Sequence, residues 1–292
     1  MTLRTFAYET VDVFTDRRFA GNPLAIVPDA RGLSSAEMQT IAREFNYAET
    51  TFVLPPQNPA NSAHVRIFTP EEEMPFAGHP NVGTAFALGQ RSDLWSRPVA
   101  DGFRFEEKAG LVDIRLQRMD GVVIGAAVRA PRALTTAEGP PTAVVAALAG
   151  LHPQDMVTTT HAPLFASVGA EFLVAEVAAD AVARAAGRRE QFAALAEQTG
   201  KPFLCLYLYA RSGAQLDARM FAPLTGVPED PATGSAVAAL GALLAERAGL
   251  ASLSVVQGVA MQRRSELVVN TGRDGTWISG RCVAVMRGEL TL

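Results

Sequence analysis

The stretch Glu229-Asp230-Pro231-Ala232-Thr233-Gly234-Ser235-Ala236 determines how the rest of the chain can be interpreted. This polar, helix-breaking run passes directly into apolar residues at helical spacing, so it predicts the start of a helix. Thr233 or Ser235 supplies a short hydroxyl that can cap this start, and Gly234 lets a ligand approach the backbone. The free N–H groups of the first turn and the helix dipole favour a bound carboxylate or oxyanion. Asp230 lies beside this predicted anion site as a candidate acid, base or hydrogen-bond acceptor. A capped structural helix without a ligand is the alternative.

A second helix start of the same kind is predicted near residue 80. Gly78 and His79 precede Pro80, and proline suits the first turn of a helix, where its missing N–H costs nothing. A lone histidine is more often structural than catalytic. Here it lies beside a second anion-accepting helix end, so we take His79 as a candidate site residue.

The two helix starts are related by an internal repeat. Arg66-x-Phe68-x-Pro70-x-x-x-x-Pro75 recurs as Arg219-x-Phe221-x-Pro223-x-x-x-x-Pro228, and both copies run into a helix rich in small residues. The separation of the copies is about half of the chain, which indicates an internal duplication. We therefore expect an N-terminal lobe over 1–128 and a C-terminal lobe over 129–292, with the last strand free to return to the first lobe.

The composition is that of an ordinary globular protein. With 292 residues, of which 48% are hydrophobic, the chain exceeds what one core usually supports, so two domains are expected. The net charge of -4 and the scattered arginines argue against a nucleic-acid partner. No apolar stretch approaches the roughly 18 residues of a membrane span, and the N-terminal sequence lacks the apolar core of a signal peptide, so we expect no membrane contact and a cytoplasmic location. Cys205, Cys282 and the four histidines show no ligand spacing, so no metal site is expected.

Glu49 is the third candidate. It precedes the β-branched, apolar segment 50–54, at the junction between a predicted helix and a predicted strand. Most glutamates are surface charges, and the spacing alone does not distinguish Glu49 from them.

Further segments share one resemblance: Asp12-Val-Phe-Thr with Gly21-Asn-Pro-Leu, Ala48-Glu-Thr-Thr-Phe-Val, Arg66-Ile-Phe-Thr-Pro and Phe76-Ala-Gly-His-Pro. Together with 229–236 they resemble the PhzF family of phenazine biosynthesis, over essentially the whole chain. The resemblance implies an α+β, diaminopimelate-epimerase-like fold of two pseudo-symmetric lobes. Each lobe would be a curved sheet or barrel around a central helix, with the active site between the lobes. It also implies a homodimer and an isomerase that uses no cofactor and no metal.

The resemblance also assigns roles to individual residues. It implies four catalytic residues, which are Glu49, His79, Asp230 and Ser235. It also implies three substrate-binding residues, which are Gly78, Gly234 and Thr233. Gly78 and Gly234 fall where the related epimerases use two thiols, so a two-thiol racemase mechanism is not expected. The family often reads Met-Gly-Arg-Pro-Ser after a Gln-Gly pair, whereas this chain has Met261-Gln-Arg-Arg-Ser after Gln257-Gly258. This departure affects the expected substrate pocket and leaves the catalytic groups in place.

These expectations define a reaction. Glu49 would move a proton as acid and base, and the helix starts would hold the carboxylate of a small cyclic or amino-acid-like substrate and stabilise the developing charge. The best-known activity of the family is the isomerisation of trans-2,3-dihydro-3-hydroxyanthranilate. Two alternatives stay open: a racemase or epimerase with Glu49 and Asp230 as its two bases, and a non-catalytic metabolite-binding or interaction module. The physiological substrate and pathway are not specified by the sequence.

Overall fold

The computed structural model describes residues 3–292 and divides the chain into two compact units. Unit 1 comprises the residues up to Pro131 together with Ile278–Leu292, and unit 2 is Arg132–Trp277. The division lies three residues after the predicted lobe boundary at 128. The segment 278–292 belongs to unit 1, the possibility that the sequence had left open.

Unit 1 contains two helices, which are α1 (Ser35–Phe45) and α2 (Gly78–Gly89). Its strands are β1 (Thr5–Val13), β2 (Asn22–Val27), β3 (Glu49–Leu54), β4 (Ala63–Phe68), β5 (Glu73–Met74), β6 (Asp93–Leu94), β7 (Arg97–Pro98), β8 (Gly102–Glu107), β9 (Gly110–Met119), β10 (Val122–Arg129) and most of β20 (Gly275–Thr291). The helix α1 begins with a capping box, in which Ser34 and Glu37 satisfy each other's backbone N–H groups, as the sequence signature indicates.

Within the described part of unit 1, eight strands close into a barrel. Neighbouring strands pair in the order β1, β2, β3, β4, β8, β9, β10 and β20, and β20 pairs with β1 to complete the ring. The pairings of β2 with β3 and of β4 with β8 are parallel. Parallel neighbours need a crossover connection, and α1 and α2 supply the two crossovers. The helix α1 packs its apolar side on a cluster that includes Phe52 and Phe68.

The helix α2 lies inside this barrel. Every residue from Gly78 to Gly89 is buried, and the helix contacts strands on several sides of the ring. Its composition of small and apolar residues on all faces is typical of a fully buried helix. Gly83 permits the close approach, because a Cβ atom there would lie 2.7 Å from the side chain of Leu24. The helix start that carries His79 is therefore an interior feature and not a surface turn.

Unit 2 contains four helices, which are α3 (Thr142–Leu148), α4 (Ala179–Arg184), α5 (Arg189–Thr199) and α6 (Gly234–Ala248). Its strands are β11 (Thr135–Glu138), β12 (Met156–Val157), β13 (Leu164–Ser167), β14 (Glu171–Val177), β15 (Leu206–Ser212), β16 (Gln215–Ala222), β17 (Val227–Asp230), β18 (Ser252–Gln257) and β19 (Ser265–Gly272). The helices α3, α4 and α5 pack together around Phe192 in one apolar cluster with β14 and β15.

The strand order of unit 1 recurs in unit 2. The series β13, β14, β15, β16, β18 and β19 repeats the series β1, β2, β3, β4, β8 and β9, with parallel pairings at the same two places. The helix α6 occupies the place of α2, and most of it is buried. Gly241 brings α6 close to the sheet, because a Cβ atom there would lie 2.5 Å from Val269. The expected duplication is thus present in the strand order as well as in the sequence.

Several strands differ from what the sequence pattern predicts. The pattern predicts two strands, at 276–279 and 282–287, and the structure has one strand there, β20, of 17 residues. The Asp-Pro pair at 230–231 predicts a turn before the helix, whereas the strand β17 includes Asp230. The segment of β13 carries no strand prediction. None of the helices between residues 3 and 292 has both the length and the apolar composition that a membrane span requires.

Candidate active site

The N-terminal ends of α2 and α6 are both buried and both lack a capping side chain. Ala77 and Thr233 occupy the N-cap positions, and neither makes a side-chain hydrogen bond to the first turn. The starts of α4 and α5, in contrast, are exposed to solvent. A buried helix start leaves N–H groups and a positive dipole end away from water, an arrangement that suits a bound anion.

The candidate residues of unit 1 are brought together at the start of α2. The carboxylate oxygen Oε2 of Glu49 lies 3.5 Å from Nδ1 of His79. Asn22 places its side-chain amide nitrogen 3.3 Å from the same ring nitrogen. Glu49 is the first residue of β3, and its side chain keeps 17% exposure, against 5% for His79. Glu49 is therefore the more accessible member of the pair.

His79 is neutral in this environment. Burial lowers its pKa to about 3, and a contact with the backbone carbonyl of Pro23 opposes this effect only in part. Among residues 3–292 the ring nitrogen Nε2 has no hydrogen-bond partner. A neutral, buried imidazole with an open nitrogen acts as a hydrogen-bonding group and not as a cation.

Sequence reasoning missed Glu107, which lies against the first turn of α2. Its two carboxyl oxygens are buried and have no hydrogen-bond partner within the described residues. Burial raises the pKa of Glu107 to about 8, and nearby Asn81 opposes the shift in part. Asn81 itself donates from Nδ2 to the carbonyl of Ala77, at 2.9 Å. Glu107 ends the strand β8, in which Phe103 and Phe105 are buried at alternate positions. This alternation places Glu107 on the inward face of the strand and is the sequence signal for its burial.

The hairpin tip between β8 and β9 explains why Glu107 reaches this place. Lys108 Nζ contacts Glu73 at 2.8 Å, and the N–H of Ala109 donates to the carbonyl of Pro75 at 3.0 Å. Both partners belong to the segment that leads into α2. The tip is thus fastened beside the helix start, and the Glu107 side chain turns towards Asn81.

The candidate residues of unit 2 meet at the start of α6. The hydroxyl of Thr233 donates to Oδ2 of Asp230, at 2.5 Å. Thr233 was expected as a possible helix cap. It holds the N-cap position, but its hydroxyl turns back to Asp230 and leaves the first-turn N–H groups without a side-chain cap. Ser235 is half-buried in that first turn.

A second unexpected residue, Gln257, connects this cluster to the interior of unit 2. Its side-chain amide nitrogen donates to the carbonyl of Asp230 at 2.8 Å and to Oγ1 of Thr233 at 3.1 Å. The hydroxyl of Tyr207 donates to its amide oxygen, at 3.0 Å. The next residue, Gly258, has a φ of +75° and lies close to Pro231. A Cβ atom at position 258 would lie 2.7 Å from the carbonyl oxygen of Pro231.

The internal repeat appears as the same ion pair in both units. Arg66 Nε and Nη2 each lie 2.7 Å from an oxygen of Glu73, and the guanidinium stacks 5.0 Å from the ring centre of the phenylalanine two residues further along. Arg219 repeats this arrangement with Glu229 at 2.8 Å and a phenylalanine ring at 4.8 Å. Each pair fastens the short strand that leads into the central helix.

The strand register corrects one part of the repeat. Glu73 and Glu229 both pair with the phenylalanine of the motif, and the spacing between them is five residues in the first copy and eight in the second. The connecting loop is thus longer in the second copy. Pro75 corresponds to Pro231, and its predicted equivalence with Pro228 is wrong.

The register also shows which site residue is not duplicated. Thr50 and Leu206 pair with equivalent phenylalanines, so Glu49 in unit 1 and Cys205 in unit 2 occupy equivalent positions. Burial and the charge of Asp230 raise the pKa of the Cys205 thiol to about 11, which keeps it protonated.

Neither Cys205 nor Cys282 lies at the start of α2 or α6. No three His, Cys, Asp or Glu side chains between residues 3 and 292 are grouped so that they could hold a metal ion.

Comparison with known proteins places these features in context. The profile of the phenazine biosynthesis-like PhzC-PhzF proteins matches residues 11–288. An uncharacterised isomerase of Mesorhizobium japonicum is 40% identical over 99% of both chains. The trans-2,3-dihydro-3-hydroxyanthranilate isomerase of Pseudomonas aeruginosa is 34% identical, over 93% of this chain and 92% of the relative.

A solved structure agrees with the fold. The phenazine biosynthesis protein of the PhzF family from Bacillus anthracis superimposes with a TM-score of 0.86, at 26% identity, over 99% of this chain and the whole of the other. The α+β fold that the resemblance implied is therefore confirmed.

Proposed function

Because the chain belongs to the PhzF family of phenazine biosynthesis-like proteins and is an isomerase, we propose that it moves a proton between carbon atoms of a small, carboxylate-bearing cyclic substrate, with Glu49 as the proton carrier. The observation that supports this proposal most directly is the pairing of Glu49 with the neutral, buried His79 at an uncapped helix start.

The uncapped helix starts supply the binding of charge. The first-turn N–H groups of α2 and α6 lie away from solvent, so a ligand carboxylate or a developing enolate-like oxygen replaces the missing cap. Oriented N–H groups in a dry site stabilise such charge without reorganisation. We assign Gly78 and Gly234 to this role because a glycine there leaves the backbone open to close approach. Ser235 adds its hydroxyl at the second helix start.

Glu49 supplies the proton transfer. Its partly exposed side chain can receive a proton from a substrate carbon and return it to another, which is the requirement for an isomerisation through a conjugated anion. The neutral ring of His79 packs beside the Glu49 carboxylate, with its Nδ1 3.5 Å from Oε2. Asp230, held by Thr233, orients the amine or hydroxyl group of the substrate.

The assay is deuterium incorporation from solvent, followed by NMR. We propose trans-2,3-dihydro-3-hydroxyanthranilate as the first probe, because the relative from Pseudomonas aeruginosa is named for it. Glu49→Gln keeps the shape of the side chain and removes the ionisable group. Turnover should fall by at least the roughly 10² to 10⁴ of general acid–base catalysis. Glu44→Gln, an exposed change on α1, is the matched control and should exchange at the wild-type rate.

Four outcomes separate the alternatives. Wild-type exchange that persists in Glu49→Gln removes Glu49 from its role, and loss confined to Asp230→Asn moves the role there. Exchange only at a stereocentre of an amino or hydroxy acid indicates a racemase or epimerase with two bases. Binding of the probe without any exchange indicates a metabolite-binding protein. The homodimer that the resemblance implies stays a prediction, and sedimentation velocity tests it.

A further inference from the structure

Gln257 is buried at the meeting point of four hydrogen-bonding groups of unit 2. It has no solvent exposure, and Tyr207, on which its amide oxygen depends, is also fully buried. The hydroxyl of Tyr207 lies 3.0 Å from Oε1 of Gln257, while Nε2 lies 2.8 Å from the Asp230 carbonyl and 3.1 Å from Thr233 Oγ1. A fourth contact, from the Thr233 N–H to Oε1 at 3.4 Å, completes the set. Every polar atom of this side chain is thus engaged.

The donors and acceptors in this cluster have one consistent direction. The carbonyl of Asp230 can only accept and the N–H of Thr233 can only donate, so these two backbone groups fix which end of the Gln257 amide is nitrogen and which is oxygen. The hydroxyl of Tyr207 then donates to the amide oxygen, and the amide nitrogen donates to Thr233 Oγ1. The proton of the Thr233 hydroxyl points to Oδ2 of Asp230, at 2.5 Å, because a carboxylate oxygen can only accept.

We propose that Gln257, locked by Tyr207, is a positioning residue that acts through Thr233 to fix the rotamer and hydrogen bonding of the Asp230 carboxylate. The proposal rests on the proposed function for the place of Asp230 in the site. It assigns Oδ2 as the oxygen that the Thr233 hydroxyl holds. Gly258 supports the arrangement, because only a residue without a side chain lets β18 end so close to Pro231.

Other ionisable groups lie close to Asp230 in the fold or in the sequence and are considered in its titration. Cys205 and Tyr207, both in or next to β15, have their pKa values raised by burial and by the charge of Asp230. Glu229 precedes Asp230 in β17 and forms an ion pair with Arg219. Arg263 lies in the turn after β18, where its backbone N–H donates a hydrogen bond to the Gly258 carbonyl.

The decisive measurement is an NMR titration of the Asp230 carboxyl carbon, assigned with Asp230→Asn, which needs no substrate. Thr233→Val removes the donated hydrogen bond and should raise the pKa of Asp230 by about one pH unit, since hydrogen bonds to a carboxylate favour its charged form. Thr233→Ser keeps the hydroxyl and should restore the wild-type value. Tyr207→Phe removes the hydrogen bond from the tyrosine hydroxyl to the Gln257 amide oxygen. It should also raise the pKa of Asp230, by a smaller amount.

A matched control comes from the same strand. Tyr209 lies two residues further along β15 and is also buried, but its hydroxyl contacts Glu176 and His161 instead. Tyr209→Phe removes a comparable hydrogen bond without reaching Thr233, so the Asp230 titration should not move. The double change of Tyr207→Phe with Thr233→Val should shift the pKa no further than Thr233→Val alone, because both act through one bond.

Two results overturn the proposal. An Asp230 titration that is unchanged in Thr233→Val shows that the bond does not act on the carboxylate. Equal shifts in Tyr207→Phe and Tyr209→Phe show a general effect of strand stability. Failure of the proposed function has a different signature, in which the titration responds as expected but no probe exchanges deuterium in the wild-type protein.

Discussion

Glu107→Gln tests the buried carboxyl beside α2 through the pH dependence of stability. The pKa of Glu107 rises from an ordinary 4.5 to about 8 in the folded protein. Between these values the unfolded chain has released the proton and the folded protein still holds it. Stability therefore falls as pH rises through this window, and the contribution of the neutral carboxyl is lost by about pH 8. At about 1.4 kcal/mol per pH unit, the full window corresponds to roughly 5 kcal/mol.

Glutamine cannot ionise, so Glu107→Gln lacks this dependence. We subtract the unfolding free energy of wild type from that of Glu107→Gln at each pH. This difference should rise by about 2–3 kcal/mol from pH 5 to pH 7, because only wild type loses stability over this range. Any effect of the new amide itself on the unfolding free energy is the same at every pH. The prediction therefore concerns only the change of the difference with pH, from which a constant amount cancels. The measurement is urea unfolding followed by the fluorescence of Trp95, in a Trp277→Phe background, so that unit 1 is observed by itself.

Glu106→Gln is the matched control for this prediction. Glu106 is the neighbouring residue, but it accepts hydrogen bonds from Asn61 and from the backbone of Gln57 and Asn58, which lower its pKa. It is ionised in both states above pH 5, so its replacement should shift stability by a constant amount. A Glu107→Gln difference that is equally constant from pH 5 to pH 7 would refute a protonated Glu107.

Other changes test the remaining features. Ser235→Leu should weaken binding of trans-2,3-dihydro-3-hydroxyanthranilate by at least about tenfold in calorimetry, with an unchanged circular dichroism spectrum, since it blocks an anion-binding helix end; retained affinity would contradict this role. The ¹⁵N signals of His79 should stay at their neutral positions down to pH 5, and a midpoint near 6.5 would show that the ring is not desolvated. Arg219→Met should destabilise more than Arg66→Met in urea unfolding, because the carboxylate partner of Arg66 keeps a lysine contact; equal losses would contradict this reasoning.

The duplication was the most predictable part of the fold. The repeated arginine and phenylalanine form a stacked ion pair in each unit, so the residues that reveal the repeat in the sequence are those that hold its geometry. The position of Pro75 was misassigned because a loop of different length separates the repeated elements, and loop length carries no periodicity. The short strands β5 and β17 were missed since strands of two to four residues, with proline beside or within them, have no alternating pattern.

The candidate site was only partly accessible to sequence reasoning. The helix starts at Gly78 and Gly234 follow from local signals, whereas the approach of Glu49 to His79 joins residues that are 30 positions apart and depends on the pairing of β3 inside the barrel. The Thr233 hydroxyl had two possible partners, and the choice of Asp230 over the helix N–H groups is set by Gln257 on another strand. The only sequence signal for Glu107 is its place in the alternation of Phe103 and Phe105, which puts its side chain on the inward face of β8.

The strand β20 has a consequence for how the protein is made. It closes the barrel of unit 1 between β1 and β10, yet it follows nearly the whole of unit 2 in the sequence and is synthesised after it. Unit 2 is a contiguous stretch and is synthesised in full while unit 1 still exposes two unpaired strand edges. The unit that begins first is therefore completed last. A nonsense mutation after Trp277 would leave the second unit whole and remove most of the closing strand of the first, so a truncation that spares every residue of unit 2 acts on unit 1.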